Sequence, residues 1–313
     1  MDALSQVLST LRMEASILSH FVLAEPWGLH CPTHPGMPFY AVIEGTGWLC
    51  PDVGAPLPMA AGDLLVLPHG QAHSIASAAG TRVVPLLEAL IAHEVPVWMP
   101  GDDSKTSRFQ YGGNGATTRI LAGAFYFGAQ DNSLTRELPP LVRLDNADAR
   151  VWPLLDAALR LIAEEQQTQA PGAAAATARL ADLIFLQVLR AHWSRPAAGS
   201  PGLLRGLADP RIRRALEAMH RAPGEAWTVP RLARLAGLSR SGFAARFQER
   251  VGASPKAYLT RWRMQLAAAR LVDDRAPLAA VAEELGYSST FAFSKCFRRV
   301  YGHPPGRYRR QQP

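Results

Sequence analysis

The stretch from Trp227 to Leu259, WTVPRLARLAGLSRSGFAARFQERVGASPKAYL, decides the fold of the C-terminal third. The stretch from Ala276 to Tyr308, APLAAVAEELGYSSTFAFSKCFRRVYGHPPGRY, is written on the same plan. Up to the first glycine the two copies are offset by 49 positions, pairing Val229 with Leu278, Ala233 with Ala282, Ala236 with Leu285 and Gly237 with Gly286. Beyond it the offset is 50, pairing Phe243 with Phe293, Phe247 with Phe297, Gly252 with Gly302, Pro255 with Pro305 and Tyr258 with Tyr308. A correspondence held residue by residue, with one inserted residue, is an internal repeat rather than a coincidence of composition.

Each copy reads as a short helix, a glycine turn and a second helix, the second helices running from about Ser239 to Val251 and from Ser289 to Val300. That is the pattern of two helix-turn-helix units. A small Ala in each first helix permits close helix crossing, and Gly accepts the left-handed turn that a Cβ disfavours. Ser239 and Ser288 or Ser289 are suited to cap the second helices. The Phe pairs, four residues apart, face inward and leave the N-terminal face for a major groove. Two hairpins merely packed as a bundle are the competing reading. Charge weighs against it: residues 201–313 hold 21 Lys+Arg against 8 Asp+Glu, net +13, while residues 1–200 hold 12 against 18, net −6. Such an excess suits a polyanion.

On these residues the segment resembles the AraC/XylS transcription regulators. The landmarks are Leu232-Ala233, Gly237-Leu238-Ser239, Phe243, Phe247 and Gly252-Ala253-Ser254-Pro255 with Tyr258. In the second copy they are Val281-Ala282, Leu285-Gly286-Tyr287, Phe293, Lys295, Phe297 and Gly302 through Tyr308-Arg309. The resemblance implies two recognition helices joined by a connecting helix over 255–272, with Trp262 in its packing core. It also implies double-stranded DNA as partner, with RNA polymerase beside it, and a homodimer; activation and repression both stay open as the mode of regulation.

Composition bounds the remainder. At 313 residues the chain accommodates two domains, and 48% hydrophobic residues exclude a disordered protein. No run approaches eighteen apolar residues, and the N-terminus lacks the layout of a signal peptide. Three cysteines argue against a disulfide framework and for a reducing cytoplasm. Cys31 and Cys50 are a candidate redox pair, set against the plainer reading of small apolar fillers.

From Ala24 to about Phe127 short apolar stretches alternate with Pro/Gly/Asp turns, a β pattern. Gly62-Asp63-Leu64-Leu65-Val66-Leu67-Pro68-His69-Gly70-Gln71-Ala72-His73 reads G, five residues, P-x-G, two residues, H, and so resembles the second signature of the cupin barrels, a small jelly roll. The resemblance points His73 into the barrel. Its first signature departs from the metal-binding form: Tyr40 precedes Val42-Ile43-Glu44-Gly45 and no His-x-His pair occurs. Tyr40, Glu44 and His73 are the candidate ligand-pocket residues. Cys31, His34 and His73, with His30 nearby, are candidate metal ligands, set against local hydrogen bonding; no cofactor is expected. Residues 86–107 read as an irregular insertion, and its Asp102-Asp103 pair as solvated.

Helical periodicity takes over from Val151, with two amphipathic stretches separated by Pro171-Gly172, an antiparallel hairpin. Its apolar face serves either its own barrel or a dimer, and the resemblance favours the dimer for part of it. The expected fold class is therefore two-domain α+β: a cupin-like β-barrel with a helical hairpin, then an all-α double helix-turn-helix region. The boundaries are 1–150 for the sensor, 151–194 for the hairpin, 195–204 for a linker, and 205–313 for DNA binding with units at about 229–251 and 278–300.

The resemblance places base-reading positions at Ser241, Ala244 and Ala245, and at Thr290, Phe291, Ser294 and Lys295. Ser239 and Ser289 flank them. The Ala pair offers only methyl contact to thymine, so the first unit leans on phosphates. Arg240, Arg246, Arg261, Arg263, Arg298 and Arg299 are the candidates for those, with a solvated helix face as the alternative for Arg261 and Arg263. The leading functional reading is a regulator whose barrel senses a small molecule or stress. A cupin-type metal-dependent enzyme with a nucleic-acid-binding tail, and a ligand-free dimerisation barrel, are the alternatives.

Overall fold

The computed structural model describes residues 13–95, 107–127, 138–145, 152–168, 171–194, 201–273 and 276–311. The expected Asp102-Asp103 pair and linker residues 195–200 lie outside them. The chain divides into two compact units, the first over Met13–Arg195 and the second containing Pro196–Pro313.

The first unit is built on two sheets. Its strands are β1 (Met13–Ala24), β2 (Gly28–Cys31), β3 (Met37–Glu44), β4 (Thr46–Pro51), β5 (Leu57–Ala60), β6 (Leu64–Val66), β7 (His73–Ala76), β8 (Val84–Pro85), β9 (Ser107–Gly112), β10 (Thr117–Phe127) and β11 (Val142–Leu144). One sheet has the order β11-β6-β3-β10-β1-β9 and the other β5-β4-β7-β2-β8. They share an apolar core of Phe21, Leu23, Trp27, Leu29, Tyr40, Leu49, Leu65, Ile75, Phe109 and Ile120. The barrel expected from the sequence is thus corrected to two separate sheets about a common core, which among the described residues are open at the edges β11, β9, β5 and β8.

Strand β3 explains why its sequence does not alternate. Met37 through Val42 are all buried. Tyr40 and Val42 face the shared core, while Phe39 stacks on Phe125 at 4.7 Å. Phe125 in turn meets Phe185 at 5.5 Å. A strand covered on both faces reads as a continuous apolar run. Phe185 lies on the second of two helices, α2 (Trp152–Thr168) and α3 (Ala173–Ser194), with α1 (Leu86–Ala92) preceding them. The Phe185 face of the hairpin is therefore taken up by its own sheet.

Two further expectations are revised. The β region begins at Met13, not Ala24: β1 pairs β10 antiparallel and β9 in parallel, with partners from 88 residues away (Ser19 with Ser107) to 114 (Met13 with Phe127). Residues 86–92 of the expected irregular insertion form α1. Among the described residues no helix is long and apolar enough to cross a membrane.

The second unit is helical: α4 (Leu203–Ala208), α5 (Pro210–Arg221), α6 (Val229–Ala236), α7 (Arg240–Val251), α8 (Pro255–Asp273), α9 (Leu278–Glu284), α10 (Thr290–Tyr301) and α11 (Pro305–Gln311). Helix α4 takes up Leu203 and Leu204, the last two residues of the expected linker. The long α8 is shared between two halves. Near its start, Trp262 stacks on His220 of α5 at 4.2 Å, and Tyr258 contacts Phe247 of α7 at 5.8 Å. Further on, Met264, Ala267, Ala268 and Leu271 pack with Val281, Ala282, Leu285, Phe293 and Phe297.

Candidate nucleic-acid interface

Helices α6 and α7 are joined through Gly237, at φ +64°, where a side chain is strained. Thr228 caps α6 by accepting from the Arg231 backbone N–H, and Ser239 caps α7 by accepting from the Gly242 N–H at 3.1 Å. Helices α9 and α10 repeat the arrangement, with Gly286 at φ +76° and Ser289 accepting from the Ala292 N–H at 3.2 Å. Ser289, not Ser288, is the cap. Phe243, Phe247, Phe293 and Phe297 are fully buried, which leaves the opposite face of α7 and α10 outward.

That outward face carries the expected positions. Ser239, Arg240, Ser241 and Ala245 are exposed on α7 and its cap, with Ala244 partly so. Ser289, Thr290, Phe291, Lys295, Arg298 and Arg299 are exposed on the α10 side, and Ser294 is half-buried. Phe291 is 79% exposed, an apolar ring held in solvent on the first turn of a helix.

Two of the expected phosphate-contacting arginines are held by partners within the fold. Arg246 donates to the Asp209 carboxylate at 2.7 Å, and Arg250 lies 3.6 Å from the same oxygen. Asp209 is buried, and its other oxygen accepts from the Arg211 and Ile212 N–H groups that begin α5. Burial alone would raise its pKa; the Arg246 hydrogen bond and the two backbone donors outweigh that and hold it below the ordinary carboxylate value. Arg263 donates to the carbonyls of Pro223 at 2.6 Å and Glu225 at 2.9 Å. The sequence gives no local sign of either commitment, since the partners lie 37 to 40 residues away. Arg261, by contrast, is exposed.

In the first unit the candidate pocket residues are only partly brought together. His73 is fully buried, and its Nδ1 donates to the Gln71 carbonyl at 2.8 Å, which leaves Nε2 to accept from the Tyr40 hydroxyl at 2.8 Å. Burial keeps His73 below the ordinary histidine pKa and therefore neutral. The Cys31 Sγ lies 3.3 Å from the same hydroxyl, and burial pushes its thiol to about 11. Glu44 is corrected out of this group: it sits on the surface beside Arg119 at 3.3 Å.

The candidate metal ligands do not converge either. His34 accepts from the Gly36 N–H at Nδ1 and reaches the Tyr126 hydroxyl through Nε2, so both of its nitrogens are occupied locally. Nearby His30 meets Ser74 at 3.2 Å on the other face of the strand pair. No group of three or more His, Cys, Asp or Glu able to hold a metal occurs among the described residues. The redox pairing is also resolved. Cys31 lies opposite His73, and Cys50 opposite Ser74, on the two sides of β7. Two strand spacings, about 9.6 Å, exceed the roughly 7 Å Cα limit of a disulfide.

Comparison with known proteins bears on both units. A cupin family model matches residues 2–194, and a helix-turn-helix domain model matches residues 232–311. A Streptomyces lividans protein described as an AraC-like transcription regulator is 34% identical, covering 99% of this chain and 98% of its own. A Streptomyces antibioticus protein of the same description is 34% identical, covering 99% of both. The RCS-specific HTH-type transcriptional activator RclR of Escherichia coli K12 is 28% identical, covering 99% of this chain and 97% of its own.

Proposed function

The chain belongs to the AraC-like transcription regulators and carries a cupin N-terminal domain, and on that premise we propose that it reads DNA with two helix-turn-helix units, α6–α7 and α9–α10. It is a DNA-binding transcription regulator and not an enzyme. Helix α7 offers Ser241, Ala244 and Ala245 to base edges, flanked by Ser239. Helix α10 offers Thr290, Phe291, Ser294 and Lys295, flanked by Ser289. Arg240, Arg261, Arg298 and Arg299 meet phosphates, whereas Arg246 serves the fold. The observation that carries this reading is the outward faces of two capped helices, with Arg240 in the first turn of α7 and Lys295 in the second turn of α10, each backed by a buried Phe pair.

Residues 1–150 form the sensor, 151–194 the hairpin through which two copies pair, and 205–313 the DNA-binding region, acting in the cytoplasm as a homodimer that recruits RNA polymerase and activates transcription. A small-molecule or stress signal is received by the first unit, whose core holds a polar cluster of Tyr40 with His73 and Cys31. A thermal-shift screen of small metabolites tests the sensor role, since a saturating ligand at a hundred times its Kd stabilises by about 2.7 kcal/mol. A screen without a shift favours the dimerisation module instead.

Genome-wide footprinting with the purified protein tests the DNA reading. Discrete promoter sites, each protected over two successive major-groove faces, are expected. Protection without sequence preference, or over a single groove face, overturns the two-unit reading.

A further inference from the structure

We propose that Arg263, Gly224 and Gly286 form a joint that locks the two helix-turn-helix units at one separation, so that the protein measures the spacing between the two blocks of its operator. The inference rests on the two-unit reading above.

The joint is visible in one close backbone approach, seen from both of its sides, and in the contacts of one arginine. Gly286, in the turn between α9 and α10, approaches the loop before α6 so closely that a Cβ on it would meet the Gly224 carbonyl oxygen at 2.2 Å. A Cβ on Gly224 would meet the Glu284 carbonyl oxygen at 2.3 Å. Arg263, from the shared helix α8, ties the two: it donates to the carbonyls of Pro223 and Glu225, and its guanidinium lies 5.8 Å from the Tyr287 ring. The loop itself is stiff, because the Trp227 indole donates to the Ala222 carbonyl at 2.8 Å and Glu225 pairs with Arg231 of α6 at 2.9 Å.

The two copies of the repeat differ at this place. Gly237 needs its left-handed φ, but a Cβ on it would have nothing within 4 Å, whereas Gly286 needs both the φ and the space. Gly224 has no left-handed φ to maintain, so close approach to the second unit is what its missing side chain serves. A guanidinium with two carbonyls to satisfy is a poor phosphate ligand, which makes Arg263 a positioning residue.

The test uses the full-length protein and the tightest duplex it selects from random DNA, together with derivatives carrying one base pair inserted or removed between the two protected blocks. Affinity is followed by fluorescence anisotropy across a salt series. For the natural protein a one-base-pair change is expected to weaken binding by about tenfold or more. Gly224→Ala, Arg263→Ala and Arg263→Lys are expected to flatten that penalty to about threefold or less, with an unchanged salt slope. Gly306→Ala, where a Cβ meets nothing, is expected to keep the natural profile. Circular dichroism verifies that each variant is folded, and Gly224→Ala and Arg263→Lys carry the test should Arg263→Ala fail to fold. An unchanged spacing profile in the folded variants overturns the joint. So does a reduced salt slope in Arg263→Ala with its spacing penalty intact, which would make Arg263 a phosphate contact. Protection of a single block by the natural protein instead defeats the two-unit reading itself, and the footprint separates that failure from the others.

Discussion

On α7 the Arg246 guanidinium is bound to a buried carboxylate, whereas on α10 Arg298, whose counterpart under the offset of 50 is Gln248, projects into solvent. Local pattern places both on their helices, but the Asp209 partner that commits Arg246 to the fold comes from 37 residues away. Asp209 should therefore matter to the fold. Asp209→Ala removes the α5 cap and leaves Arg246 and Arg250 without their shared acceptor, and a loss of at least about 1–2 kcal/mol is expected in a denaturant melt of the full chain. On α10 the chemistry divides differently. Lys295→Ala should lose discrimination at one base pair, while Arg298→Ala should weaken binding to all sequences alike and reduce the salt slope by about 1. Equal behaviour of the two variants would refute that division. Phe291, offering only an apolar ring, should discriminate through a thymine methyl, so Phe291→Ala is expected to lose preference for thymine over uracil at one position. Binding to duplexes substituted with deoxyuridine checks this.

Elements were legible in proportion to how locally they are determined. The helices of the repeat announce themselves through caps, glycines and Phe spacing, and their ends fall within a residue of the expected ones: α7 starts after Ser239, and α10 after Ser289. Strand β1 carries no such punctuation, and its identity depends on β9 and β10 beside it. Helix α1 was equally obscure, being seven residues long with no side-chain cap. The inward placement of His73 follows from its motif, but Glu44, two residues past the last buried residue of β3, has left the core. The Tyr40–His73 hydrogen bond spans the two sheets, β3 to β7, inside an apolar core. Tyr40→Phe leaves the His73 Nε2 buried without its donor, and a cost of about 1–3 kcal/mol is expected by chemical denaturation. No loss would mean that the hydroxyl is replaceable there.

The two units carry opposite charge, and their responses to solution conditions should differ accordingly. In the first unit, burial holds His73 and His34 below the ordinary value of 6.5, so the unfolded chain binds protons that the folded unit refuses. Stability from this source is present above about pH 6.5 and falls as the pH drops below it, by at most about 1.4 kcal/mol per pH unit for His73. The melting temperature of the first unit should decline between pH 7 and 5, and less steeply in His73→Gln. The second unit's cations govern DNA affinity through counterion release, each neutralised phosphate contributing about −0.9 to the slope of log K against log salt. If all six of the arginines that the sequence assigns to phosphates did meet them, the slope would be about −5.4 per chain. With Arg246 and Arg263 committed to Asp209 and to backbone carbonyls, four remain: Arg240, Arg261, Arg298 and Arg299. The expected slope is then about −3.6 per bound chain. Titration of a fixed operator duplex between about 50 and 200 mM salt resolves the two values. A slope near the steeper one would mean that DNA draws Arg246 and Arg263 away from their partners, and that the second unit rearranges when it binds.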